Sequence, residues 1–149
     1  MVIISMFILL ALVVVVIATI IMVGFIGVGS AAAAAGGLAG IFTIKDKYIK
    51  TLALLLCLSI FFFAVCCLVL VGGFIWSKAF AVFAAIGCLS ALVALILGIL
   101  SLKMSLKIDK TSTKVLFIVL SALAMLLAVV ALVIHSLIAV LVIVVPLMT

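Results

Sequence analysis

The sequence contains no glutamate, arginine, asparagine or glutamine. In 149 residues it holds two acids, Asp46 and Asp109, and a single histidine, proline, tryptophan and tyrosine. A water-soluble domain covers itself with the missing residue types, so a soluble domain is excluded. The scarcity of acids excludes more. Both aspartates lie among lysines in short polar segments, and no apolar run contains an acid. Ion-coupled transport ordinarily relies on intramembrane carboxylates, so a proton-coupled transporter and a rotary-ring proteolipid are not expected. Paired carboxylates for hydrolysis are missing too. No nucleophile–base pair is visible, so no enzymatic activity is expected. The four cysteines show neither CxxC nor cysteine–histidine spacing, and no metal or other cofactor is expected.

What is present is hydrocarbon, 74% of the residues. A bilayer span needs about 20 apolar residues. Four runs qualify: 2–27, 51–76, 80–102 and 115–147. They predict an all-α integral membrane protein, one domain over residues 1–149, folded as a four-transmembrane-helix bundle with short loops. A barrel would show short alternating strands instead. The first run lacks a positive flank and a clear cleavage site and is long for a signal peptide, so it is expected to be retained.

The lysines predict a topology. Lys45, Lys47 and Lys50 precede the second run, Lys103, Lys107, Lys110 and Lys114 separate the third from the fourth, and Lys78 stands alone between the second and third. Alternate loops thus carry seven lysines and one. The positive-inside rule places the seven on the cytoplasmic side and both termini on the opposite side. Tyr48 and Trp76 fall at opposite predicted interfaces, as belt residues do. Segment 28–44 is apolar, rich in alanine and glycine, and fits none of the four spans. Three readings stand for it: an extension of the first helix, a segment lying along the interface, or an extra span after a turn near Gly24. The Gly36–Gly37 pair and Gly40 mark a break or close packing.

Helices in lipid associate through close contact between small residues. In the third span Ser90, Ala94 and Gly98 recur every four residues, flanked by Gly87 and Ala91. In the fourth, Ser121, Ala124, Ala128, Ala131 and His135 alternate spacings of three and four. Both patterns predict helix-packing seams. The hairpin around Ser77–Lys78 sets Cys67 level with Cys88, a possible thiol pair, although small free cysteines are ordinary buried residues. Cys57 is read as packing in preference to an acylation site.

His135 is expected near the interface opposite the start of the fourth span, bonded to a neighbour; it is also the one candidate ligand for a haem or pigment. Lys103, Lys107, Lys110 and Lys114 would share one helical face if the third helix continued beyond the membrane. With Lys45, Lys47 and Lys50 they are candidates for anionic lipid headgroups, against simple snorkelling and topology anchoring. Thr111–Ser112–Thr113 offers an N-cap for the fourth helix.

The fourth run would reach about 50 Å as a straight helix, against a hydrocarbon core of about 30 Å. Its end, from Ser136 on, carries no charge. This excess predicts a neighbour to cover it: other membrane subunits or copies of the chain itself. The leading reading is therefore a non-enzymatic, structural membrane subunit that packs laterally into a larger assembly and contacts anionic lipids. The alternatives are a homo-oligomeric pore or channel and a pigment or haem carrier through His135. Nucleic acid is not an expected partner. The pattern departs from tetraspanins and claudins, which carry a large extracellular loop, and from small multidrug exporters, which need an acid in the first span.

Overall fold

A computed structural model describes residues 1–148 of the chain. Four helices, each long and apolar enough to cross a membrane, account for nearly all of them. We number them in chain order: α1 (Val2–Ile41), α2 (Lys47–Ile75), α3 (Phe80–Ser105) and α4 (Thr111–Met148). A single 3-10 turn, Ser77–Ala79, joins α2 to α3. There is no strand among the described residues. The protein is a membrane protein built as a bundle of transmembrane helices.

The polar residues do the punctuating. The Asp46 carboxylate accepts the Tyr48 backbone N–H at 2.9 Å and caps the start of α2. At the end of α3, the Leu106 N–H is shared between the carbonyls of Leu102 and Met104, and buried Ile108 tucks the loop back against the bundle. The Ser77–Ala79 turn leaves no room for more than a hairpin. These three sites fix an up-and-down order.

Segment 28–44 continues the first helix: α1 runs without a break to Ile41, and none of its residues has a positive φ. The glycines there serve approach. A Cβ on Gly27 would meet Cys67 Cβ at 2.9 Å, and one on Gly37 would meet Cys57 Sγ at 2.6 Å. Gly27, Ala34 and Ile41, seven apart, form the buried line of α1, with half-buried Ser30 and Gly37 between them. That spacing of three and four is a coiled-coil seam.

The helices do not close into a square. Among the described residues α1 touches only α2, while α4 packs on α3 and more lightly on α2. Helix α2 is therefore the centre, in contact with all the others. Its buried residues, including Leu52, Ser59, Ala64, Cys66 and Gly73, point in several directions.

Contacts also set the levels. Gly24 lies against Val71, Gly27 against Cys67 and Gly37 against Cys57, pairs whose numbers sum to 94 or 95. The end of α2 at Ile75 is thus level with about residue 20 of α1, and the preceding residues run on past it for roughly 27 Å. Gly98 lies against Met125 and Gly87 against His135, so only the last turn or so of α4 passes the start of α3.

Candidate functional site

The most specific polar arrangement is at the junction of α2, α3 and α4. His135 is 3% exposed, and its Nδ1 lies 2.7 Å from the Ala131 carbonyl oxygen. A carbonyl only accepts, so Nδ1 is the donor. Nε2 is buried and is without a hydrogen-bond partner. It faces Gly87: a Cβ there would fall on the ring's Cδ2 and Nε2. The ideal Cβ lies along a glycine Cα–H bond, so a Cα–H of Gly87 points at the ring edge, nearest to Cδ2. The Cys66 thiol donates to the Gly87 carbonyl at 3.5 Å. One glycine thus contacts side chains from both neighbouring helices.

This placement differs from the sequence expectation for His135. The residue sits level with Gly87, some seven residues into α3, well inside the bundle and away from its end. Two turns of α4 precede the level at which α3's apolar part ends, which shifts all of α4 relative to a count started at Val115. Nε2 faces the α3 backbone at Gly87. Among the described residues no cluster of three or more histidine, cysteine or acidic side chains could hold a metal ion.

The small residues gather along the same seams. Gly87, Ser90, Ala91, Ala94 and Gly98 on α3 are all buried. So are Ser121, Ala124, Ala128, Ala131 and His135 on α4. Hydroxyls tie the helices where backbones approach. Ser59 of α2 donates to the Ala94 carbonyl of α3 at 2.8 Å. Ser105 donates to the Ser101 carbonyl at 2.7 Å, which commits its proton. Ser121, 3.3 Å from Ser105 Oγ, is therefore the donor in that pair and links α4 to α3. Ser59, Cys66, Ser101 and Ser105 were absent from the seams read in sequence. Ser101 and Ser105 do continue the four-residue spacing from Ser90, Ala94 and Gly98 with one three-residue step, a signal that was available.

All four cysteines are free thiols. Cys66, one residue from the expected Cys67, is the one turned to α3, while Cys67 lies under Gly27 of α1. Cys88 is half-buried.

The seven lysines Lys45, Lys47, Lys50, Lys103, Lys107, Lys110 and Lys114 collect at one end of the bundle. The Tyr48 hydroxyl donates to the Met104 carbonyl at 2.7 Å and holds the start of α2 to the end of α3. Lys50 Nζ stands 5.8 Å from the Phe42 ring centroid. No lysine is ion-paired among the described residues. The single-face reading of Lys103 to Lys114 does not hold, because α3 ends at Ser105 and leaves Lys107 and Lys110 in the loop. Nor do Thr111–Ser112–Thr113 form a cap; they are already the first turn of α4.

Because α1 and α4 do not meet, a groove runs between them over α2. One part, of about 330 Å³, has Gly29, Ser30 and Ala33 on its α1 wall, Ser59 and Phe63 on its floor, and Leu123 and Leu127 on its α4 wall. It continues past Ile26, Phe63 and Leu127 into a cleft of about 230 Å³ that ends at Cys66, Leu70 and the edge of His135. The polar atoms of the floor are committed, Ser59 to Ala94 and Cys66 to Gly87. The groove is largely apolar, with Ser30 on its α1 wall.

The chain matches no known family, no characterised protein and no solved structure.

Proposed function

We infer that the protein is a non-enzymatic, structural subunit of a larger membrane assembly, packed laterally against other subunits or further copies of itself. The observation that carries this is the course of the α4 seam. Its buried line, Ser121, Ala124, Ala128, Ala131 and His135, stops at His135. Beyond it only Ile138, Ala139 and Val142 stay partly covered, Leu137, Val140, Leu141, Ile143 and Leu147 are exposed, and the last turn or so runs past the start of α3. Small residues drive helix association in lipid inside the bundle, where they are used up. Large apolar side chains remain on the outside for a neighbour.

The lysine end supports a second contact of the same subunit. Seven unpaired ammonium groups near one surface suit an anionic leaflet, at about 1 kcal/mol per lysine close to the surface. Scaffolding of this kind needs no reacting group. It needs a rigid seam, an outer apolar face and a charged end that sets the depth.

Removing residues 136–149 tests the reading. The shortened chain is expected to insert and fold, since the seam up to His135 is intact, but to lose the proteins that co-purify with the full chain in gentle detergent. Recovery of the same partners with the shortened chain would overturn it.

A further inference from the structure

The groove and α1 together imply a larger rearrangement. Helix α1 has 40 residues and no charge, a length of about 60 Å, twice a hydrocarbon core of about 30 Å. Its second half is held parallel to α2 by the Gly27, Ala34, Gly37 and Ile41 seam, so tilt cannot absorb the excess. The first half has its 18-residue window wholly uncovered. It is apolar on every side, with Ser5 and Thr19 the only hydroxyls before Gly24, and both donate to α1's own carbonyls. A helix apolar all round belongs in a protein core or in lipid. Residues 2–23, about 33 Å long, are by themselves one span. Two spans in one straight helix cannot share one bilayer.

We propose that in the bilayer α1 bends at Gly24 and returns residues 2–23 as a fifth span, seated antiparallel to the rest of α1 in the groove between α1 and α4. Gly24 is the first glycine of the chain, and a Cβ built on it would meet nothing closer than Val71 Cγ2 at 3.8 Å. Gly24 lies about one and a half helical turns, roughly 8 Å, inside the level of Trp76, toward the end of the bundle, where water reaching in from the interface can satisfy the backbone groups that a break in the helix frees. Fold-back from there brings residue 2 level with the Lys45–Lys47 segment, so the returning span matches the depth of the bundle. The groove is the vacancy that would receive it. It is flanked on both sides by helices that do not touch each other, and its α1 wall is small, with nothing within 4 Å of a Cβ on Gly29. The rest of α1, α2 and α4 then border the segment, where now only α2 meets its last residues. The inference concerns the N-terminal half and the groove, and stands apart from the partner-binding role given to the end of α4.

Labelling of the full chain in proteoliposomes with a membrane-impermeant maleimide tests the bend. Ser5→Cys is compared with Ser112→Cys at the lysine end and Lys78→Cys at the Trp76 end, in a background whose native cysteines are replaced by serine or alanine. Ser5→Cys is expected to label from the Ser112 side. The reference positions, labelling from opposite faces, show in the same experiment that the bundle has inserted. A second variant, Leu12→Cys with Leu127→Cys, is expected to form an intramolecular disulfide on mild oxidation, because those positions come level in the groove. Ser5→Cys labelling from the Lys78 side overturns the proposal. So does a lysine-side Ser5 with no Leu12–Leu127 cross-link, which would place the returning span away from the groove.

Discussion

The two halves of α1 are equally apolar and behave in opposite ways. Residues 24–41 lie against α2 along Gly27, Ala34, Gly37 and Ile41, while residues 2–23 meet only the end of α2, in a shallow cleft at Leu70, Val71 and Phe74, and otherwise expose Ile, Leu, Val, Met and Phe side chains. In water the second set would be the stronger adhesive. In lipid the solvent is as apolar as the side chains, so burial of leucine gains little and close backbone contact decides. The small residues win, and the large ones face outward. The same contrast appears within α4, where serine and alanine are buried and the leucines and valines between them are exposed.

The comparison can be broken most severely at Gly87. Gly87→Ala places a methyl on the His135 ring, and neither the ring, held to Ala131, nor the helix backbone can yield cheaply. A loss of about 3 kcal/mol is expected, the upper end of overpacking costs, measured by unfolding in mixed micelles. The double variant with His135→Ala should recover most of it, a coupling that independent sites do not show. A neutral Gly87→Ala would mean that the α3–α4 approach is looser than described.

A smaller effect is expected where the obstructing group can move. Gly37→Ala meets the Cys57 thiol at 2.6 Å, and Gly98→Ala meets Met125 Cγ at 2.9 Å. Both neighbours have rotatable side chains, so about 1 kcal/mol is expected from each. Gly37→Ala should in addition weaken the α1–α2 contact specifically, read as increased protease access to the 42–46 connection. Ser121→Ala removes one interhelical hydroxyl bond and should cost about 0.6 kcal/mol, typical of such bonds in membranes. At the other end of the scale, Leu9→Ala in the uncovered half should leave bundle stability within about 0.5 kcal/mol. Leucine gains as little against a helix in the groove as against lipid, so the same small effect holds for the returning span, and a large loss would contradict the contrast drawn between large and small residues.

Much of this was legible in the residues themselves. Serine, alanine and glycine recurring every three or four positions on α3 and α4 mark the very positions that are buried, because periodicity survives when the surrounding residues are bulky enough to contrast with it. On α1 the contrast is lost. Within a run of five alanines and several glycines every face is small, so the line through Gly27, Ala34 and Ile41 could not be told from its neighbours. Helix α2 gave no single stripe because it is surrounded by three helices and buries residues on several sides. Cys66 could not be chosen over Cys67 from spacing alone, since adjacent residues differ by 100° of rotation and only the actual rotation of α2 selects one.

From the residues alone follow the class of solvent, the number of apolar helices and, to within a few residues, every helix boundary except the end of α1. Those follow from hydrophobic length and from a few charges, and both are local quantities. Tertiary structure alone decided which faces meet, that α1 and α4 stand apart with a groove between them, and that the lone histidine is sealed against a glycine well inside the bundle. Those depend on rotation and relative depth of whole helices, set by which backbones approach most closely in a medium that otherwise favours no face over another.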